Sequence, residues 1–173
     1  MKRPLNPQQR IFVGLGGNFD GTPAVLLRAI GELNRSLGVE PTALSSWYNS
    51  EPWGGQTTTA FVNAVVEYRS TLDAHQLLDV LSSVEHSLGR RRALEVRWGD
   101  RIVDLDLLAV GDRQINRPGL HVPHPRLTER RFVLQPWAEI APNFVLPNVQ
   151  TSVAELLKRC PDQSLVRRSQ EAL

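Results

Sequence analysis

The 173-residue sequence predicts an α+β domain with a ferredoxin-like, split βαβ core, in which an antiparallel-rich sheet carries helices on both faces. Three observations support this. Apolar segments switch between strand and helix periodicity in the order strand, helix, strand, strand, helix, strand, strand, helix. Gly and Pro punctuate the boundaries between those segments. No repeat, low-complexity tract or linker divides the chain. One domain is therefore expected over residues 1–173, with 1–10 and about 162–173 as flexible ends.

Taken in order, "IFVGLGGN" starts apolar at Ile11 and ends in Gly14, Gly16 and Gly17, a buried strand entering a tight loop. Thr22 and Pro23 open a helix, with Pro at its first position. Leu26, Leu27, Ile30, Leu33 and Leu37 continue it at helical spacing until Gly38. "TALSSWYNS" and "FVNAVVEYRS" are rich in β-branched and aromatic residues and read as strands; the Pro- and Gly-bearing "EPWGGQTTTA" joins them. Asp73 and Gln76 form a capping-box pair ahead of a helix that ends at Gly89. "RIVDLDLLAV" is the next strand, and "GD" at 111–112 predicts a hairpin into "RQIN". "HVPHPRLTER" leads into a helix near 129–140, closed by Pro142. A short helix follows over 152–159, and the polar tail after Pro161 is expected to fray.

The single cysteine, Cys160, allows no intrachain disulfide, which fits a reducing compartment. "MKRPLNPQQR" lacks the apolar run of a secretory signal, and no segment has the length and apolarity of a membrane span. The expected location is the cytoplasm, without a membrane partner. Net charge is only +2, but the arginines are clustered. Arg90, Arg91, Arg92, Arg97 and Arg101 fall in one short segment, and Arg126, Arg130 and Arg131 in another. The planar guanidinium fork suits phosphate oxygens, so a polyphosphate ligand or a nucleic acid is in view. An RNA-binding sheet would carry an aromatic-rich strand motif that this sequence lacks, which argues against nucleic acid.

The most informative segment is "RWGDRIVDLDLLAVGD", residues 97–112. Strand alternation places Ile102, Asp104, Asp106 and Leu108 on one face, and Val103, Leu105, Leu107 and Ala109 on the other. The two carboxylates lie roughly 6–7 Å apart at Cα. Two negative charges so close need a positive partner. One alternative is salt bridging to neighbouring arginines on an exposed sheet face. The other is magnesium, which takes one or two carboxylates together with substrate phosphates and water. Two aspartates can hold a metal pair across a phosphate chain, with the arginine-rich segment before them supplying complementary charge. No G-x-x-x-x-G-K-[ST] is present, and Phe19 stands where a G-x-G-x-x-G fingerprint needs its third glycine. "HVPHP" offers no third zinc ligand beside His121 and His124.

These residues, "GLGGN", "SEPWGGQTTTAFVNAVVEY", "VEHSLGR" and "VPHPRLTERRFVLQPWAEIAP" together resemble the hydroxymethyldihydropterin pyrophosphokinase family, in order and spacing from about Ile11 to Pro147. The resemblance implies transfer of pyrophosphate from ATP to the hydroxymethyl group of 6-hydroxymethyl-7,8-dihydropterin, with release of AMP; a monomer is expected. It implies that Asp104 and Asp106 hold two Mg²⁺ ions, and that Arg90 and Arg92 act on the nucleotide phosphates. It places Glu85, Arg101 and His124 at ATP. Gly54, Phe61, Asn63, Trp98, Arg130 and Phe132 are placed at the pterin, with the backbone around 50–53 completing the pocket. A flat, amide-edged ligand independently suits these residue types, because aromatic faces stack and an Asn amide offers both donors and an acceptor. Two departures stand out. Gly17 replaces a serine often found in the family, and the segment between Gly89 and Trp98 is one residue longer, so Arg91 and Arg92 compete for one role.

Overall fold

The structure, a computed structural model, describes residues 8–52, 58–91 and 99–170. Strand β1 (Gln9–Gly17) leads to α1 (Thr22–Leu37), then β2 (Ala43–Leu44), β3 (Tyr48–Ser50), β4 (Phe61–Ser70), α2 (Ala74–Ser87) and β5 (Asp104–Val110). A small ribbon follows, β6 (Ile115–Arg117) with β7 (Leu120–Val122), and a 3-10 turn at Leu127–Glu129 precedes α3 (Arg131–Ile140). β8 (Val145–Leu146), β9 (Thr151–Ser152), α4 (Val153–Arg159) and β10 (Val166–Arg168) complete the described chain.

The main sheet runs β10-β3-β4-β1-β5, every pair antiparallel, with β2 also on β4. The central pair β1–β4, flanked by β5 and β3, is the split βαβ arrangement. Side-chain alternation then makes two cores. Ile11, Val13 and Leu15 of β1 meet Leu26 and Leu33 of α1 and Leu77 and Leu81 of α2. Phe12 of β1 and Val65 of β4 meet Leu134 and Trp137 of α3 and Val153 at the start of α4. Helices therefore cover both faces, as the sequence predicts.

Local signals explain the helix ends. Asp73 caps α2 in a complete capping box with Gln76, and Gly89 follows its end at φ 96°. Gly38 ends α1 in a left-handed conformation. At the other end of α1 the register differs by one from expectation. Gly21 is the cap residue, at φ 75°, and Thr22 is the first helical residue, so Pro23 is not. The Thr22 hydroxyl bonds the Phe19 carbonyl oxygen instead of capping.

Several expectations need correction. "TALSSWYNS" is not one strand, because Ser45 interrupts it: its hydroxyl accepts from the Val65 N–H at 3.0 Å, and Trp47 turns into the core. "RIVDLDLLAV" becomes a strand only at Asp104, since the Arg101 backbone is held by Asn18. Ala109 lies on the α3 face, not with Leu107: a bulge opposite Phe12 and Val13 inserts Leu108 and reverses the alternation beyond it. Residues 111–112 do turn the chain, but "RQIN" pairs with β7 and not with β5, because Pro118 and Gly119 (φ 79°) set a tighter turn just beyond it. The helix expected from 129 starts at Arg131.

Within both spans expected to be flexible, some of the described residues belong to strands. Gln9 and Arg10 already belong to β1, with Arg10 pairing to Glu67 at 2.7 Å. In the tail, Val166–Arg168 forms β10 against β3, and Ser169 donates its N–H to the Trp47 carbonyl at 2.8 Å. The physical reason is that β3 would otherwise leave a row of backbone groups unpaired at a sheet edge.

Candidate active site

On the α3 face, a cleft opens beside the end of β1. Its floor is made by absent side chains. Gly14 pairs with Asp106 on one side and Val65 on the other, and Gly16 pairs with Asp104 and Asn63. A Cβ at Gly16 would come within 3.2 Å of the Asn63 Oδ1. The glycines thus leave a trough between the carboxylates of β5 and the amide of β4. Phe61 and Phe132 line the trough, as do Ser50, Arg101 and Arg130.

Asp104 is held on both oxygens. Arg90 pairs with Oδ1, and Arg101 donates from Nη1 to Oδ2 at 2.7 Å. Arg90 is itself buried, and its Nη1 also donates to Glu85. Glu85 is not a solvated helix charge. It is 2% exposed and also accepts the Leu105 N–H at 2.8 Å, which ties the end of α2 to the aspartate strand. Burial works to raise the Asp104 pKa, but Arg90 and Arg101 outweigh it, and the carboxyl is held below its ordinary value.

Asp106 has the opposite balance. Its ion pair among the described residues is with Arg130, at a loose 3.6 Å. Burial, then the charge of Asp104, push its pKa up to about 7, with Glu85 adding to the rise and Arg130 opposing it. The salt-bridge alternative therefore accounts for Asp104 and leaves Asp106 under-neutralised. Arg130 pays for its position too: burial lowers its pKa, although Asp106 and Asp104 support the charge.

His124 lies past β7, its backbone N–H bound to the Leu108 carbonyl at 3.0 Å. Burial, then Arg130, lower its pKa to about 4, so the ring is neutral at pH 7. Nδ1 accepts from the Arg126 N–H at 3.3 Å, which leaves the proton on Nε2 as a donor. Among the described residues, no group of three or more His, Cys, Asp or Glu could hold a metal by itself. A cation here would need ligands from outside the protein, and Mg²⁺ bound to a polyphosphate brings its own.

The structure brings together Arg90, Glu85, Arg101, Asp104, Asp106, Arg130, Phe61, Asn63 and Phe132, with His124 close by. Arg92, Trp98 and Gly54 lie outside the described residues. Sequence reasoning missed two contributors. Asn18, 5% exposed, donates to Asp100 at 2.6 Å and accepts the Arg101 N–H at 2.7 Å, so it anchors the start of the aspartate segment. Its place just after the glycine turn was the available signal. The Ser50 hydroxyl, bonded to Asn63 at 2.8 Å, left no signal in the chain.

Comparison with known proteins followed the same residues. A family model described as 7,8-dihydro-6-hydroxymethylpterin-pyrophosphokinase (HPPK) matches residues 12–142. The 2-amino-4-hydroxy-6-hydroxymethyldihydropteridine pyrophosphokinase of Methylorubrum extorquens is 40% identical over 149 residues, covering 85% of this chain and 93% of that protein. The protein of the same name from Synechocystis is 41% identical, over 88% of this chain and 78% of its own. The one from Pseudomonas aeruginosa is 36% identical, over 92% and 96%. Among solved structures, Plasmodium falciparum HPPK-DHPS with pteroate superposes with a TM-score of 0.71 over 89% of this chain at 12% identity, a likeness of fold alone. The chain spans 44% of that longer protein.

Proposed function

Because the chain belongs to the 7,8-dihydro-6-hydroxymethylpterin-pyrophosphokinase family, and so transfers pyrophosphate from ATP to the hydroxymethyl group of 6-hydroxymethyl-7,8-dihydropterin in folate biosynthesis, we propose that Asp104 and Asp106 carry a pair of Mg²⁺ ions at the reacting phosphates. The observation behind this is the under-neutralised Asp106 beside Asp104, on one side of a glycine-floored trough with Asn63 on the other. The donor set fits: two hard carboxylate oxygens on one strand face, with room for phosphate and water ligands. Bound there, Mg²⁺ would neutralise charge on the phosphate chain.

The protein's own residues do the positioning. Arg101 and Arg90 flank Asp104 and can move from carboxylate to phosphate oxygens once the carboxylate charge is met elsewhere. Arg92 joins them at the nucleotide. Glu85 keeps Arg90 within reach while it holds the strand. His124 offers a neutral Nε2–H to a phosphate oxygen. On the other side, Asn63 takes the amide edge of the pterin between Phe61 and Phe132, with Arg130 between pterin and phosphates and Gly54 in the pocket wall. Trp98 covers the ring. The bond made joins the hydroxymethyl oxygen to the β-phosphorus. The bond broken is the α–β bridge, and AMP leaves. Such a reaction needs alignment and charge neutralisation more than a protein nucleophile.

This reading has the whole chain as one catalytic domain, working as a monomer in the cytoplasm without nucleic acid. Among the described residues, no helix is long and apolar enough to cross a membrane. The test is product analysis. With ATP, Mg²⁺ and the hydroxymethyl dihydropterin, AMP should form in step with pyrophosphorylated pterin, and EDTA should stop it. Formation of ADP, or turnover unchanged in EDTA, would overturn the metal-dependent reading.

A further inference from the structure

Asn63 holds a definite orientation, and the structure gives its cause. Ser50 pairs with Phe61, and Asn63 with Tyr48, so Ser50 and Asn63 share a face as diagonal neighbours across β3 and β4. The Asn63 Nδ2 donates to the Ser50 hydroxyl oxygen at 2.8 Å, and the two residues are 5% and 4% exposed. Ser50 is braced from its far side by Val166 of β10. The Asn63 Oδ1 has no hydrogen-bond partner among the described residues and stands over Gly16 at the cleft floor.

An Asn side chain rotates about χ2 in a broad, two-fold well, so packing alone discriminates poorly between its two ends. In the structure the Ser50 hydroxyl oxygen accepts from Nδ2, the arrangement that leaves Oδ1 facing the cleft floor. We infer that Ser50 is a positioning residue: it takes one N–H of Asn63 and so presents Oδ1 and the second N–H to the ligand as an adjacent acceptor and donor. The pocket then selects a flat heterocycle whose edge carries an N–H beside a hydrogen-bond acceptor. This inference rests on the reading of Asn63 as the pterin contact.

The test uses variants matched in shape. Ser50→Thr keeps the hydroxyl, and Ser50→Val replaces it with a methyl group, so any cost of the larger side chain cancels between them. Binding of 6-hydroxymethylpterin, read by its fluorescence, and of a magnesium–non-hydrolysable ATP analogue is measured for both. Ser50→Val should bind the pterin about tenfold more weakly than Ser50→Thr. Affinity for the nucleotide should be equal in the two. Equal pterin affinity in Thr and Val variants, or equal losses for both ligands, would overturn the inference. Asn63→Ala separates the two levels of the argument. If it leaves pterin affinity intact, the pocket reading fails and the inference fails with it. If it weakens pterin binding while Ser50→Val does not, only the inference fails. In the Asn63→Ala background, Ser50→Val should add nothing; a full further loss would show that the hydroxyl does not act through Asn63.

Discussion

Asp106→Asn should abolish turnover and yet stabilise the metal-free protein. In the fold, burial and Asp104 raise the carboxyl pKa from an ordinary 3.8 to about 7. A raised folded pKa means that folding takes up a proton between those values. The group therefore costs nothing near pH 4, and its cost grows as pH rises to 7 and then levels off. Taken in full, the rise corresponds to a ceiling of about 4 kcal/mol. The side chain is 32% exposed, so solvent screens much of this, and about 1–2 kcal/mol is a sounder expectation. For a chain of this length that is about 2–8 °C in Tm. Thermal melts of wild type and variant in EDTA, from pH 4.5 to 8.5, would show it. The difference should be small at the acid end, widen to about pH 7 and then hold. Adding magnesium and an ATP analogue should reverse the order, stabilising the wild type and not the variant. A variant less stable than wild type at pH 8, or a gain that does not change with pH, would refute the electrostatic reasoning.

Asp104→Asn should also remove activity, and steady-state assays should show at least a hundredfold fall in kcat/KM, about the effect of losing one strong electrostatic contact in the transition state. Asn63→Leu should weaken pterin binding by about two orders of magnitude while nucleotide affinity, measured by calorimetry, stays within a few-fold, since buried polar groups of the ligand would be left unpaired. Gly17→Ala should lower stability by about 1–3 kcal/mol in denaturant melts. Its Cβ would sit 2.8 Å from the Ile102 carbonyl oxygen, and backbone cannot step aside cheaply. His124 should titrate near pH 4 in the free protein, visible as late-moving imidazole signals in NMR; a midpoint near 6.5 would contradict its burial against Arg130.

What the sequence revealed, and what it hid, follows from the range of each interaction. The βαβ order, the α2 capping box and the glycine helix stop of α1 rest on residues within a turn of one another, and were legible. The aspartate pair was legible because strand alternation is local. The bulge at Leu108 was not, since it exists only through pairing with Phe12 and Val13 on β1. β10 was hidden for the same reason: three polar-flanked residues gain strand character only from the edge that β3 offers. At the site, the resemblance put Glu85 at ATP, but its hold on Arg90 and on the Leu105 N–H depends on partners that only the fold brings to it. The glycine-x-glycine run read as a turn. Its larger part is a trough floor, which needed both neighbouring strands to be seen.

The central claim is that Asp104 and Asp106 together seat two ions with the nucleotide. Counting bound Mn²⁺ by electron paramagnetic resonance, in the presence of a non-hydrolysable ATP analogue and 6-hydroxymethylpterin, tests it most directly. The wild type should hold two ions per chain, and Asp104→Asn and Asp106→Asn should each hold fewer or bind them far more weakly. A wild type that holds none beyond the ion carried by free nucleotide, or variants that match it ion for ion, would contradict the account.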